Sequence, residues 1–501
     1  MEINSTKRIS LNIATTIIQV FVVGIIYFLL YRFLVEKLGV EKLGVWSIIL
    51  ATSSIANIAN FGITSGLVKF VAEYNSQKND NVIEKLIFTG FLSVLMLFII
   101  IIVLIYFFSR KILIYIIDDS FLNLALDILP YSLICLLVNS IGGIFTSTLE
   151  GYQKNYIKNS IYLISSILFL ITTYYLVPFY DLLGVAYSQV IQSFFILILS
   201  FLFVIKETNK LIFNKWHWDT KIFISLIKYG SKFQIISIFQ LFYEPITKSL
   251  ISKFGGLAFL GYYEMAARLV NQFRSLIVNA NQVIVPVIAH TNSVDKNEIN
   301  NIYKKSLLVV FFISICLFSF VILFTPLISK VWIGFVEHTF VFTSIILSVS
   351  MFINILIGPA YFSCVGEGNL DLVLKSQIIM GVLNLFFGYF FGYFVGGYGV
   401  IIGWSIAITF SSVYLYYHFH NKKKIPLKIV YTIENLKAIV LFVILLVFGN
   451  LVFERLFFLV GNLYLVTLFY LILFLGIFYI IYKNNIEIQQ LKKQLLKSLR
   501  K

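Results

Sequence analysis

Gly39-Val40-Glu41-Lys42-Leu43-Gly44-Val45-Trp46 is answered, 217 positions later, by Gly256-Leu257-Ala258-Phe259-Leu260-Gly261-Tyr262-Tyr263. The two stretches share a Gly-x4-Gly frame and place an aromatic residue at the same step beyond the second glycine. A second pair, Ile141-Gly142-Gly143-Ile144-Phe145-Thr146-Ser147 and Ile357-Gly358-Pro359-Ala360-Tyr361-Phe362-Ser363, stands at an offset of 216. Two independent matches at nearly one offset point to an internal duplication, the sequence signature of a fold assembled from two like halves.

Everything around these motifs is apolar. The chain of 501 residues is 59% hydrophobic and 12% charged, with a mean hydropathy of +0.93, whereas a soluble domain carries about 25% charged residues. Hydrophobic runs recur along the whole length, so the bilayer is the solvent for one all-α integral membrane protein. The net charge of +16 does not point to nucleic acid, because the basic residues are strung between apolar runs instead of forming one surface. Cys135, Cys316 and Cys364 lie in separate apolar runs without metal-type spacing, which excludes disulfide and zinc readings and leaves them as packing residues. No cofactor or metal motif is present. Lysine outnumbers arginine and Ile and Asn are heavily used, as in an AT-rich bacterial genome.

A spanning helix needs about 20 residues to cross roughly 30 Å of hydrocarbon. That ruler predicts about fourteen transmembrane helices, the first twelve near 10–34, 44–72, 86–109, 121–149, 157–178, 181–205, 223–250, 257–289, 306–329, 338–364, 372–394 and 397–419. Two more follow near 436–453 and 461–482. The first run is too long for a signal-peptide core and lacks a small-residue cleavage site. With the N-terminus inside, about 26 of the 39 Lys and Arg fall on the cytoplasmic side. Both termini are therefore expected in the cytoplasm of a multi-pass protein of the bacterial inner membrane.

The repeat offset spans six helices, an even number, so the halves enter the membrane in the same orientation and are related by a pseudo-two-fold axis along the membrane normal. The expected organisation is an N-lobe of helices 1–6 (1–206), a cytoplasmic linker (207–222) and a C-lobe of helices 7–12 (223–420). Two extra C-terminal helices (421–482) and a basic tail (483–501) follow. The tail reads equally well as an amphipathic helix on anionic headgroups or as a solvated end.

Polar residues that lipid should exclude are the functional candidates. The eighth helix is densest, with Glu264, Arg268, Asn271 and Arg274 inside an arc of about 120° at 100° per residue. Arg268 and Arg274 fall within roughly 6 Å of the midplane. An arginine fork grips phosphate with paired hydrogen bonds and cannot escape burial by losing its proton, so an anionic, phosphate-bearing substrate follows. Glu264 and Arg268, one turn apart, also read as an intrahelical pair that only locks the bundle. Arg274 has no acid at i±3 or i±4.

The second helix carries Ser53, Asn57, Asn60 and Thr64 on one face, either a substrate surface or interhelical glue. Under the 217 offset Asn57 aligns with Arg274 and Thr64 with Asn281. The first helix offers Arg8, Asn12, Thr15 and Gln19. The seventh offers Lys232, Gln240, Glu244 and Lys248 around Pro245, a candidate hinge. The first two helices of each half are expected to turn these faces toward a common water-filled cavity. Glu264 and Glu244 are candidates for ion coupling or structural pairing. No nucleophile elbow, Walker loop or paired histidine ligands are present, so an enzyme is not indicated.

These residues resemble the polysaccharide-biosynthesis branch of the multidrug/oligosaccharidyl-lipid/polysaccharide (MOP) exporter superfamily, the O-antigen (Wzx-type) flippases. The resemblance rests on Arg8, Leu38-Gly39 to Gly44, Asn57 to Asn60, Phe61-Gly62-Ile63-Thr64-Ser65-Gly66, Gly261-Tyr262, Pro286 and Gly396-Gly397-Tyr398-Gly399, and it covers essentially the whole chain. It implies two six-helix lobes in a V, alternating access, and transfer of an undecaprenyl-pyrophosphate-linked oligosaccharide to the outer leaflet. Membrane lipids and other polysaccharide-assembly proteins are then its partners. It also implies a cationic central cavity, a role that falls by position on Arg268 and Arg274, with Lys232. The departure is a neutral first-half midplane, with no arginine in the second helix. A lipid II flippase and a drug or cation antiporter of the same superfamily, the latter leaning on the carboxylates Glu244, Glu264 and Asp127, compete with this reading. From another class, a membrane O-antigen polymerase or glycosyltransferase would need a large external catalytic loop, and no external loop exceeds roughly 15 residues.

Overall fold

The structure, a computed structural model, describes residues 2–55, 63–208, 217–282, 288, 298–367, 370–426, 437, 440, 443, 463–484 and 489. Among them every regular element is a helix. In chain order they are α1 (Glu2–Leu38), α2 (Val40–Ile55), α3 (Ile63–Ser76), α4 (Asp80–Leu113), α5 (Asp119–Gly151), α6 (Asn155–Tyr180) and α7 (Leu182–Thr208). Then come α8 (Thr220–Gln282), α9 (Glu298–Ile333), α10 (His338–Leu356), α11 (Gly358–Gly366), α12 (Asp371–Val395), α13 (Gly397–Lys423) and α14 (Leu463–Asn484). Nine are long and apolar enough to cross a membrane among the described residues. The expected thirteenth helix, 436–453, lies almost wholly outside those residues, as do Asn57, Asn60 and Pro286.

One predicted helix is divided. The tenth predicted helix, 338–364, is broken at Ile357 into α10 and α11. Pro359 follows at the start of α11 and has no N–H to continue the ladder, which accounts for the break. The seventh and eighth predicted helices are the two parts of α8, which separate where expected, at Gly256 (φ 80°), where the backbone leaves the helical region; the first part runs through Pro245. The chain tolerates a proline inside a membrane helix because neighbouring groups re-satisfy the freed carbonyl.

The chain divides into two compact units, Met1–Gly261 and Tyr262–Lys501. In the first, α5 is the hub, packing on α2, α3, α4 and α7, while α6 and α7 form a hairpin with α1 against α6. Asn12 on α1 receives the Tyr156 N–H on its Oδ1 at 2.9 Å and donates to the Gln153 carbonyl at 3.2 Å. Asn159 donates to the hydroxyls of Thr15 and Thr16 at 3.2 and 2.9 Å. Asn12 and Thr15, expected on a shared cavity face, are thus spent on fastening α1 to α6.

In the second unit α12 and α13 form the matching hairpin, α10 packs on α9 and α13, and α14 packs on α9. Val466, Tyr470, Phe474 and Phe478 recur every four residues and so share one face of α14. That face meets α9 through Phe324–Tyr470, Phe320–Phe474 and Phe312–Phe478, with ring centroids 6.1, 5.5 and 5.5 Å apart. The most apolar stretch of α9 is accordingly 61% buried, against 17% for α4, which occupies the corresponding place in the first half. On α4, the large apolar side chains left exposed among the described residues include Ile100, Val103 and Phe107, as a face turned to hydrocarbon would be.

The Gly-x4-Gly frames govern one contact. Gly39 and Gly256, equivalent under the 217 offset, are both left-handed, with φ of 79° and 80°. A Cβ on Gly44 would stand 2.2 Å from the carbonyl oxygen of Leu257, and a Cβ on Gly261 would stand 2.2 Å from that of Val40. Since Val40 and Leu257 are themselves equivalent under the offset, the contact is reciprocal, as a two-fold relation between the frames produces. The second repeat pair is not matched in this way: a Cβ on Gly142 would stand 3.6 Å from Leu197, whereas one on Gly358, its partner at the offset of 216, would stand 2.7 Å from the amide of Asn281.

Candidate functional site

The carboxyl-terminal part of α8, residues 257–282, carries the polar stripe. Ala266, Val270, Ile277 and Asn281 are buried and fall on one side of the helix, within about 60° of one another at 100° per residue. Arg274 lies at the edge of that buried face, whereas Arg268 and the exposed Asn271 lie away from it. The stripe read as one surface in the sequence is therefore divided, with Arg274 turned toward protein and Arg268 and Asn271 toward open space.

Glu264 accepts a hydrogen bond from Arg268 Nε at 2.9 Å. The carboxylate is 3% exposed and the guanidinium 38%, so the pair has a dry anionic end and a wet cationic end. The i, i+4 spacing places the two side chains on one face of the helix. Arg274 differs. Its Nε is buried and has no hydrogen-bond partner among the described residues, and Tyr361, on α11, lies within electrostatic range of it. A donor of this kind, fixed on a group that cannot shed its charge, is expensive unless water or an anion reaches it. Asn281 closes the same region, its Oδ1 accepting from Ser306 at 3.2 Å and its amide tucked against Gly358. Tyr361 and Ser306 were not singled out in the sequence; Tyr361 stood there only as part of the second repeat motif.

The other candidates are scattered. Glu244 is exposed at its side chain and pairs with Lys248 at 2.6 Å, whose own side chain is 2% exposed. Pro245 is buried between them, the side chain of Lys232 lies outside the described ones, and Gln19 is half-buried on α1. Asp127 is exposed. The described residues hold no group of three or more His, Cys, Asp or Glu able to bind a metal ion. Outside the helices' cores, ion pairs tie turns that the alternating threading puts on a common side. Lys42 pairs with Asp181, Lys154 with Glu207, and Lys423 with Glu367 at 2.7 Å.

Residues 9–292 match the family described as "Polysaccharide biosynthesis protein". No curated protein matches the chain. Among solved structures, a lipid II flippase MurJ in an inward closed conformation is similar at 17% identity and a TM-score of 0.70, covering 95% of this chain and 99% of that one. An inward-facing multidrug resistance MATE transporter of the MOP superfamily has 14% identity and a TM-score of 0.69, covering 80% and 96%. A point mutant of the Vibrio cholerae MATE transporter VcmN has 11% identity and a TM-score of 0.64, covering 85% and 99%. At these identities the likeness establishes the fold, the all-helical membrane architecture of MOP transporters.

Proposed function

The chain belongs to the polysaccharide biosynthesis protein family, and from that membership we propose that it is a flippase for an undecaprenyl-pyrophosphate-linked oligosaccharide. It moves this lipid from the inner to the outer leaflet of the bacterial cytoplasmic membrane by alternating access between lobes 1–206 and 223–420. Both termini are cytoplasmic, and the cargo passes to other polysaccharide-assembly proteins. The observation that carries the reading is Arg274: a permanently charged guanidinium on a half-buried side chain, whose Nε is buried and has no partner among the described residues. A pyrophosphate supplies paired acceptors in the geometry that a planar fork requires.

Arg268, steered by Glu264, and the exposed Asn271 meet the cargo on the open side of α8. Asn57, Asn60, Gln19 and Lys232 extend its path, and Pro245 hinges the movement. A lipid-linked cargo is also supported by the lipid II flippase fold, matched over 95% of this chain against 80% and 85% for the two multidrug transporters. An antiporter reading needs a buried carboxylate left for ion exchange, but Glu264 is engaged by Arg268, and Glu244 and Asp127 are exposed. The protein is a transporter without catalysis of its own.

Deleting the gene should cause lipid-linked oligosaccharide to accumulate on the cytoplasmic face. Arg274→Ala should fail to restore export while inserting at normal levels, and Arg274→Lys should restore it in part, because the charge remains and the fork is lost. Full complementation by Arg274→Ala would overturn the phosphate-binding role.

A further inference from the structure

A groove of about 420 Å³ runs along the seam between α6 and α7 in the first unit. Its walls grade from polar to apolar. At one end are Tyr156, Ser160, Lys206 and Glu207; from there Ile157, Ile161, Phe203, Leu199 and Ile164 carry it along the two helices. From Tyr156 to Ile164 is eight residues, or roughly 12 Å along α6. That is close to half of a hydrocarbon core about 30 Å thick, the depth of a single leaflet.

The charges around the polar end are sorted. Glu207 pairs with Lys154, and Lys158 pairs with Glu150 at 2.5 Å. Tyr152, in the turn between α5 and α6, has its hydroxyl pushed up to about 12 by burial and by the carboxylates of Asp80, Glu207 and Glu84. Glu207 therefore also faces that turn, and its charge is met by Lys154. Lys206 is exposed, and no described carboxylate lies within ion-pair distance of it, so among the described lining residues Lys206 is the cation above an apolar slot.

We infer that this groove is a binding site for one anionic phospholipid of the cytoplasmic leaflet. The phosphate rests on Lys206 at the groove mouth, and one acyl chain lies along Ile157, Ile161 and Leu199. The volume falls within the roughly 300–1,000 Å³ of small-ligand sites, which suits a single chain. A groove facing hydrocarbon cannot hold water, so an acyl chain fills it, and the Lys206 cation selects a monoanionic headgroup. Placement in the cytoplasmic leaflet rests on the topology proposed above; binding itself does not.

The test is native mass spectrometry of the full chain in detergent, titrated with phosphatidylglycerol or phosphatidylcholine of matched acyl chains, and separately with glycerol phosphate. Wild type should retain one phosphatidylglycerol more tightly than phosphatidylcholine and bind no glycerol phosphate. Lys206→Ala should weaken the anionic lipid about fivefold, the contribution of one lysine at an anionic membrane surface, and leave the zwitterionic lipid unchanged. Ile164→Trp, at an exposed position, should fill the slot and weaken both lipids. Equal retention of the two headgroups by wild type, or phosphatidylglycerol retention unmoved by both variants, would overturn the site. Neither result depends on which cargo the protein exports, so failure of the flippase reading leaves this outcome separately readable.

Discussion

Gly44→Ala and Gly261→Ala probe the reciprocal crossing. Each methyl would stand 2.2 Å from a backbone carbonyl oxygen, where real Cβ contacts essentially never fall below 3.0 Å. The backbones must therefore separate by at least 0.8 Å, the difference of those two distances. The nearest obstructing atom in each case is a main-chain carbonyl oxygen, which cannot rotate away, and at Gly261 the Val40 Cγ2 stands 2.6 Å from the methyl as well. Overpacking of this kind costs about 1–3 kcal/mol. Because one separation makes room for both methyls, the double variant should cost little more than either single one. The coupling energy is then about −1 to −3 kcal/mol, at the upper end of what touching residues show. The assay is unfolding of the purified protein in mixed micelles for the two single variants, the double variant and Gly476→Ala, which has nothing within 4 Å and should be neutral or slightly stabilising. Strict additivity of the two glycine variants, or wild-type stability in both, would refute the reciprocal contact.

Gly39→Ala meets no neighbour within 4 Å, so its cost should be strain alone, about 1 kcal/mol by the same unfolding measurement. Asn159→Ala should loosen α1 from α6 by about 1 kcal/mol, the scale of membrane interhelical hydrogen bonds, and raise proteolysis near the N-terminus. Arg268→Ala should destabilise more than Glu264→Gln, because it strands a buried carboxylate whereas the reverse change leaves a cation that already reaches solvent; equal effects on the unfolding midpoint would contradict that ordering. Reporter fusions at Lys210 and after Lys501 should both report the cytoplasm, and a split result would break the even helix count.

The elements were legible in the sequence wherever length and hydropathy decide them, because the bilayer fixes both. The Glu264–Arg268 pair was legible too, since i, i+4 spacing on a helix settles a contact without tertiary knowledge. The fate of Asn12 and Thr15 was not: they lie on a polar face, but whether that face meets a cavity or Asn159 depends on which helix docks there. Spacing also set Arg274 apart from Arg268, since it has no acid a turn away, but did not show that it lies beside the buried Ala266, Val270 and Ile277, which depends on which face of the helix packs. The break at Ile357 had its signal in Pro359, which the hydropathy ruler passes over.

In the crossing at Gly44 and Gly261, residue i of one frame meets residue j of the other while j meets i. A homodimer of a single six-helix chain makes contacts of this type, and in such a dimer every substitution is forced to appear twice. Fusion into one polypeptide lifts that constraint. At the offset that superposes the glycines, position 274 holds Arg and position 57 holds Asn. A symmetric pair of chains would have to place two guanidinium groups at these positions or none; this chain carries one there, and can differ in charge at one position of a pair while leaving the shared glycine crossing intact.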